Sequence, residues 1–473
     1  MSLPLLNRTN VKDRPAAPVR IVHLGLGAFH RAHQAWYTQQ ADPEGAWGIA
    51  AFTGRRPDAA VALGAQDGLY TLIERSDGGD SFELVGSIVE ARDGADVARL
   101  AELVAAESTA LVTLTITETA YGLGPDGTLD PGDPAVAADI GLLASGAGRE
   151  GRPTTAIGRL VWALAARRRA GAGGIAIVSC DNLANNAAAA RAAIRGMAAA
   201  ADPELAAWMD THVSFVGTSV DRITPRTTPA EIELVARATG FQDDSPVVAE
   251  PFRNWILSGS FPSGRPDWER AGAVFVEDIE PYENRKLWLL NGAHSLLAYA
   301  GTLKGHETVA QAVADPECAQ WIADFWDEAQ ANLPAGLDIP AYRAALLERF
   351  GNSRIAHYLA QIAMDGSSKL RMRALPVLRA ERAAGRSGAA AARMVGAWIA
   401  FLRSAAAAGR PVQDGAAERI AAALALPTGQ DTAALIGLLD PMAAGEAAVV
   451  ELIECAADSF AAAADSFTAS AGS

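Results

Sequence analysis

Apolar positions follow two regimes along the chain. Up to about residue 280, short apolar runs of strand length alternate with turns and helical stretches. Residues 19–24 (VRIVHL), 47–52 (WGIAAF), 111–117 (LVTLTIT), 174–179 (GIAIVS) and 213–218 each read as a buried strand. Residues 72–74 and 82–89 alternate and predict a small antiparallel insertion, while 246–255 and 272–276 read as short closing strands. Residues 157–170 have helical periodicity. From about residue 281 to 464 the strand runs give way to Ala- and Leu-rich helical patterns, broken at 365–373 by the polar stretch DGSSKLRMR. The pattern predicts an α/β domain over residues 1–280, followed by a mostly α-helical domain over 281–473. The first 18 residues read as an arm or loop, and the closing TASAGS as frayed.

Composition narrows the classes. Half of the 473 residues are hydrophobic and 20% are charged, as in a soluble globular protein. The formal net charge of −15 argues against a general nucleic-acid or anionic-membrane surface. Cys180, Cys318 and Cys455 are too few and too scattered for a disulfide framework, which points to the cytoplasm. The N-terminus lacks the order of a signal peptide, and no run is long enough for a membrane span.

The first strand runs into Gly25-Leu26-Gly27 and then a helical stretch, the context that a dinucleotide-binding turn requires. His30 stands where the third glycine of GxGxxG would be, so a plain tight turn is the alternative. The second strand ends in Thr53-Gly54-Arg55-Arg56, without the carboxylate that commonly holds the ribose of NAD. Arg55 and Arg56 either receive a 2′-phosphate or are solvated loop charges. The strand 174–179 ends at Cys180-Asp181-Asn182, on the edge where ligands bind in open α/β sheets, making Asn182 either a site residue or turn chemistry. Asp221-Arg222 follows the strand at 213–218 and reads as a structural ion pair. His30 and His33 have i, i+3 spacing but no third metal ligand, so no metal site is expected.

Residues 282–299, YENRKLWLLNGAHSLLAY, read as one buried helix. At about 100° per residue, Glu283, Lys286, Asn291 and His294 fall within an arc of roughly 140°, shared with Leu287 and Leu290. A lysine in so apolar an arc is desolvated, which lowers its pKa and suits it to act as a base near neutral pH. The alternative is an amphipathic helix whose polar face meets water.

The order IVHLGLGAFHRAH, LTITETAYG, VSCDN, VDRITPRT, YENRKLWLLNGAHS and DGSSK resembles the polyol-specific long-chain dehydrogenases, the mannitol dehydrogenase family, over residues 20–380. The resemblance implies a Rossmann-like N-terminal domain, a helical C-terminal domain and metal-independent hydride transfer in the cleft between them. It also implies roles. Lys286 is the general base, Asn182 and Asn291 hold the reacting oxygen, and His294 orients the substrate. Glu283 passes protons to water, Asp221 lines the site, and Lys369 and Arg373 form a substrate-side cationic segment. The cofactor is expected at Gly25, Gly27, Phe29, Arg31, Arg55, Arg56, Thr117 and Glu118. NAD is the expected cofactor, with tolerance of NADP.

The stretches LLNGAHSLLAYAG, GRPDWERAGA and LPAGLDIPAYRAALLERF are more similar to fructuronate reductases than to mannitol dehydrogenases. The expected partner is therefore a small sugar acid, D-mannonate or D-fructuronate. The alternative is a neutral polyol of the mannitol or D-arabinitol kind. A nucleotide-binding regulator without catalysis is a second class, disfavoured by the complete Lys-Asn-Asn-His set. Nucleic acid and membrane are not expected partners, and the sequence leaves the oligomeric state open.

Overall fold

The structure is a computed structural model that describes residues 3–471 except 13, 146–150 and 428, with the backbone alone described for 462–471. It divides into two compact units, Met1–Glu280 and Pro281–Ser473.

The first unit is built on strands β1 (Val19–Leu24), β2 (Gly48–Phe52), β3 (Tyr70–Ser76), β4 (Gly79–Val85), β5 (Ile88–Arg92), β6 (Leu111–Leu114), β7 (Ile175–Ser179), β8 (Val213–Asp221), β9 (Val247–Ala249), β10 (Asn254–Ser258) and β11 (Val274–Phe275). The main sheet has the order β11-β10-β8-β7-β6-β1-β2-β5. From β5 to β8 all neighbours are parallel. Counted along the chain, those six strands lie in the order 3-2-1-4-5-6, the Rossmann arrangement, with its reversal point between β1 and β6.

The strands read as unbroken apolar runs because both faces are buried. Ile21, Ile49, Leu111, Ala176 and Val178 enter the core on one side. Their neighbours Val22, Ala50, Val112, Ile175 and Ile177 enter the core on the other. Pairing aligns Leu24 with Phe52 and Leu114, and Leu114 with Ser179. The chain therefore leaves β1, β2, β6 and β7 at one level, on one edge of the sheet.

The predicted insertion is present, with β3 and β4 antiparallel from Tyr70↔Val85 to Ser76↔Gly79. Its predicted second strand over 82–89 divides in two, because the chain turns at Gly86-Ser87 and Ile88–Arg92 joins the main sheet beside β2. The predicted strand over 246–255 also divides. Val247–Ala249 pairs with β3, and Asn254–Ser258 runs antiparallel to β8. Pro251, which lacks an N–H for the ladder, lies between them. β6 stops at Leu114, short of the predicted 117, and a 3₁₀ turn follows at Glu118–Tyr121. The helix predicted at 157–170 spans Ala156–Ala170. The Thr155 hydroxyl accepts from the Gly158 N–H at its start, and left-handed Gly171 ends it.

The second unit is helical among its described residues. Its helix Ala389–Ala407 turns Met394, Val395, Trp398, Ile399 and Leu402 inward. The stretch predicted as one α-helix over 282–299 is continuous but not uniformly α. It runs as α-helix Glu280–Arg285, π-helix Lys286–Gly292, α-helix Ala293–Leu296 and π-helix Leu297–Gly301. The polar stretch at 365–373 is itself a helix, Gly366–Arg373, entered through Asp365 at a φ of 53°. The expected fraying of 468–473 is also revised. Residues 468–471 continue the helix Ala447–Ala471, and 472–473 lie outside the described residues. No described helix is long and apolar enough to cross a membrane.

Candidate active site

The first unit's candidates collect at the edge where β1, β2, β6 and β7 end. Gly25 has a φ of +109°, and a Cβ there would lie 2.0 Å from the carbonyl oxygen of Thr115. Only glycine allows the β1 turn to approach the end of β6 so closely. Gly27 has the opposite character, with extended backbone, and a Cβ there would meet nothing nearer than the Gly25 oxygen at 3.6 Å. Space therefore lies beside the backbone at Gly27, on the ligand edge of the sheet. Thr117 and Glu118 are exposed after β6, Asn182 is exposed after β7, and Asp221 is buried at the end of β8.

The turn that carries Asn182 is rigidly held. Asp181 accepts from the Tyr121 hydroxyl and, through its other oxygen, from the Leu183 N–H. Burial raises the Asp181 pKa, and that of Tyr121 rises for the same reason. Fully buried Asn186 donates to the carbonyls of Asp181 (3.3 Å) and Thr218 (2.8 Å) and accepts from the Thr218 N–H (3.0 Å). It ties the β7 turn to β8.

Two expectations for this edge are corrected. Arg31 does not point to a ligand. Its buried guanidinium donates to the carbonyls of Gly27 (3.2 Å) and Ser245 (2.5 Å) and braces the glycine turn from within. Arg222 does not form its ion pair with adjacent Asp221 but reaches Glu74 at 2.8 Å. Phe29 is half-buried and stacks on His33 at 5.0 Å. Arg55 and Arg56 are exposed, and Arg56 lies 3.6 Å from Asp58. His30 stacks on His23 at 3.4 Å, and His33 bonds the Asn254 carbonyl.

The second unit holds a cavity of about 310 Å³ lined by Asn291, His294, His357, Gln361, Ile362, Lys369 and Arg373. It brings together four of the predicted residues. The helix Gly366–Arg373 supplies two cations one turn apart. Its first turn is closed by Asp414, which accepts from the Ser367 N–H (2.8 Å) and hydroxyl (2.5 Å), and Lys369 and Arg373 are the residues of this helix that line the cavity. Lys369 Nζ donates to the Ile362 carbonyl at 3.1 Å. Arg373 Nη1 donates to the Asn291 carbonyl at 3.2 Å and the Ser295 hydroxyl at 3.0 Å. Among the described residues neither cation forms an ion pair. Burial, then the Arg373 charge, lowers the Lys369 pKa, and burial brings Arg373 to about 10.

His294 is buried against Phe350 (4.8 Å) and edge-on to His357 (4.7 Å). Burial, followed by the charges of His357, Arg349 and Arg373, holds its pKa well below the ordinary value, so the ring is neutral at neutral pH. Its Nε2 has no hydrogen-bond partner among the described residues.

Lys286 and Glu283 are half-buried on the same run as Asn291. In an α-helix residues five apart diverge by about 140°. The π register bonds i to i+5 and brings Lys286 and Asn291 toward a common face. One group of metal-ligand type is present among the described residues, His306, Asp315 and Cys318. Lys304 Nζ already lies 2.9 Å from Asp315 there, where a cation would bind.

Residues 19–270 match the family model of the mannitol dehydrogenase Rossmann domain, and residues 278–460 match that of the mannitol dehydrogenase C-terminal domain. The chain belongs to the mannitol dehydrogenase family. It is 38% identical to D-mannonate oxidoreductase of Escherichia coli (strain K12) over 402 residues, 82% of this chain and 81% of that one. It is also 38% identical to mannitol 2-dehydrogenase of Cereibacter sphaeroides, over 79% of this chain and 78% of that one. Among solved structures it is similar to the ternary complex of Pseudomonas fluorescens mannitol 2-dehydrogenase with NAD and D-mannitol. That match has a TM-score of 0.77 and 32% identity, covering 97% of this chain and 96% of that one. As a mannitol dehydrogenase family member the chain is an oxidoreductase acting on CH–OH groups, and its Rossmann domain serves a nicotinamide cofactor. The open backbone at Gly27, beside the reversal point of strand order, fits that group.

Four features of this family member escape sequence reasoning. His357 and Gln361 line the cavity without any periodic or motif signal in a single sequence. The Tyr121–Asp181 contact spans 60 residues and Asn186 reaches across 32, distances over which local patterning is silent.

Proposed function

We propose that this mannitol dehydrogenase family member interconverts D-mannonate and D-fructuronate with NAD(H), using Lys286 as general base and no metal. One observation carries the choice of a sugar acid. The second unit's cavity presents Lys369 and Arg373, neither of them in an ion pair among the described residues, beside neutral His294. A carboxylate suits that lining better than a hydroxyl, because each charge-assisted bond contributes about 1.5–3 kcal/mol.

NAD⁺ when bound supplies the hydride acceptor. The chain's residues do the remaining work. Neutral Lys286 takes the proton of the reacting hydroxyl, and Glu283 returns it to water. The amides of Asn291 and Asn182 donate to the oxygen as it gains charge, doing what a Lewis-acidic metal does in other dehydrogenases. His294 offers Nε2 to a neighbouring hydroxyl, and Asp221 accepts from another. Gly25, Gly27, Phe29, Thr117 and Glu118 serve the cofactor, with Arg31 bracing the turn. Exposed Arg55 and Arg56 give some tolerance of NADP(H).

A neutral polyol is the second reading, favoured by the carbonyl contacts that Lys369 and Arg373 already make. The test is kcat/KM for mannonate, fructuronate, mannitol, fructose, arabinitol and altronate with both cofactors. A preference for the uronate pair supports the proposal, and a preference for mannitol hands it to the polyol reading.

A further inference from the structure

The π turn at Lys286–Gly292 is gripped by side chains from elsewhere in the second unit. The Trp326 indole, buried on the helix Pro316–Gln330, donates to the Leu289 carbonyl at 2.7 Å. Arg373 donates to the Asn291 carbonyl at 3.2 Å, two residues further on. Phe325 seats so closely on Gly292 that a Cβ there would lie 2.6 Å from its ring. Leu289, Asn291 and Gly292 of one turn are thus held by three groups from two other helices.

A π turn is uncommon because the α register is favoured unless something outside the ladder holds it, and it recurs at functional sites. Two of the carbonyls in this one accept from side chains. We infer that Trp326 and Arg373 are positioning residues that keep Lys286–Gly292 in the π register and so set Lys286 and Asn291 toward one face. The inference rests on the reading of Lys286 as base and Asn291 as donor to the reacting oxygen. It gives Arg373 a role distinct from reading a carboxylate. Loss of the grip weakens alignment in the transition state, so it acts on kcat and does so alike for acid and polyol.

The test uses the full chain as Trp326→Phe, Arg373→Lys and Arg373→Met. Trp326→Phe keeps an aromatic ring in the buried site and removes the indole donor together with part of the ring volume. Two readouts are taken: steady-state kinetics on fructuronate and fructose with NADH across pH, and amide hydrogen exchange over residues 287–296. Trp326→Phe should lower kcat by about tenfold on both substrates with KM within about threefold, and Arg373→Met should lower kcat on both by a similar factor, with any larger rise in KM confined to fructuronate, whose carboxylate it also meets. Exchange should quicken over 287–296 and stay unchanged in the first unit. Arg373→Lys, which keeps a donor and a charge, should recover part of the loss. An unchanged kcat, or an Arg373 effect confined to the KM of fructuronate, would overturn the inference. If the wild type reduces neither substrate, the functional reading fails and exchange alone decides. Faster exchange over 287–296 in both Trp326→Phe and Arg373→Met then supports the grip, and wild-type exchange in either refutes it.

Discussion

Lys369→Gln separates a carboxylate-binding cavity from a general hydroxyl-binding one. Lys369 is half-buried and uses one of its three donors on the Ile362 carbonyl, at 3.1 Å. Glutamine keeps an amide donor for that carbonyl and removes the charge, so the fold should hold. If a uronate carboxylate meets the ammonium, the loss is about 1.5–3 kcal/mol, or roughly 10- to 150-fold in kcat/KM. A neutral hydroxyl in the same place forfeits about 0.5–1.5 kcal/mol, roughly 2- to 12-fold, part of which the amide restores. The assay is reduction of fructuronate and of fructose with NADH by both proteins. The pH profile adds an independent check. Burial and the Arg373 charge lower the Lys369 pKa, so its proton is lost at a lower pH than from an exposed lysine. Wild-type preference for fructuronate should therefore fade as pH rises into the alkaline range, while that of Lys369→Gln stays flat there. Equal losses on both substrates would refute the carboxylate contact.

Other outcomes are expected from the same geometry. Dialysis against a strong chelator should leave turnover intact if, as proposed, Lys286 does the work of a metal; a proportional loss restored by zinc would contradict this. Replacing both Arg55 and Arg56 by alanine should lower the ratio of NADP to NAD activity, and an unchanged ratio would make them loop charges only. Gly25→Ala puts a Cβ against the Thr115 oxygen at a positive φ, at a cost on the order of 3 kcal/mol. Thermal unfolding should show Tm lower by roughly 3–5 °C, and a shift under about 1 °C would mean the turn relaxes.

The Rossmann sheet is legible in the sequence because its strands are buried on both faces and read as plain apolar runs. Where a strand boundary depends on which sheet receives the chain, as at Pro251 or Gly86, the pattern alone puts one strand in place of two. The helical half is legible from composition, and of the four polar positions from Glu283 to His294 that the spacing singles out, Asn291 and His294 line the second unit's cavity. The π register is not. Its determinants, Trp326 and Arg373, lie 37 and 82 residues from the carbonyls they hold. The orientation of Arg31 is hidden for a similar reason, since its carbonyl partner at Ser245 is 214 residues away. Local sequence shows which residues carry chemistry, and long-range contacts decide which way they face.

The most direct test of the account is Lys286→Ala, assayed beside the wild type on the best substrate pair of the panel. The account predicts an intact fold, unchanged binding of NADH, turnover lower by orders of magnitude and partial rescue by small external amines. Turnover within a few-fold of wild type would contradict it.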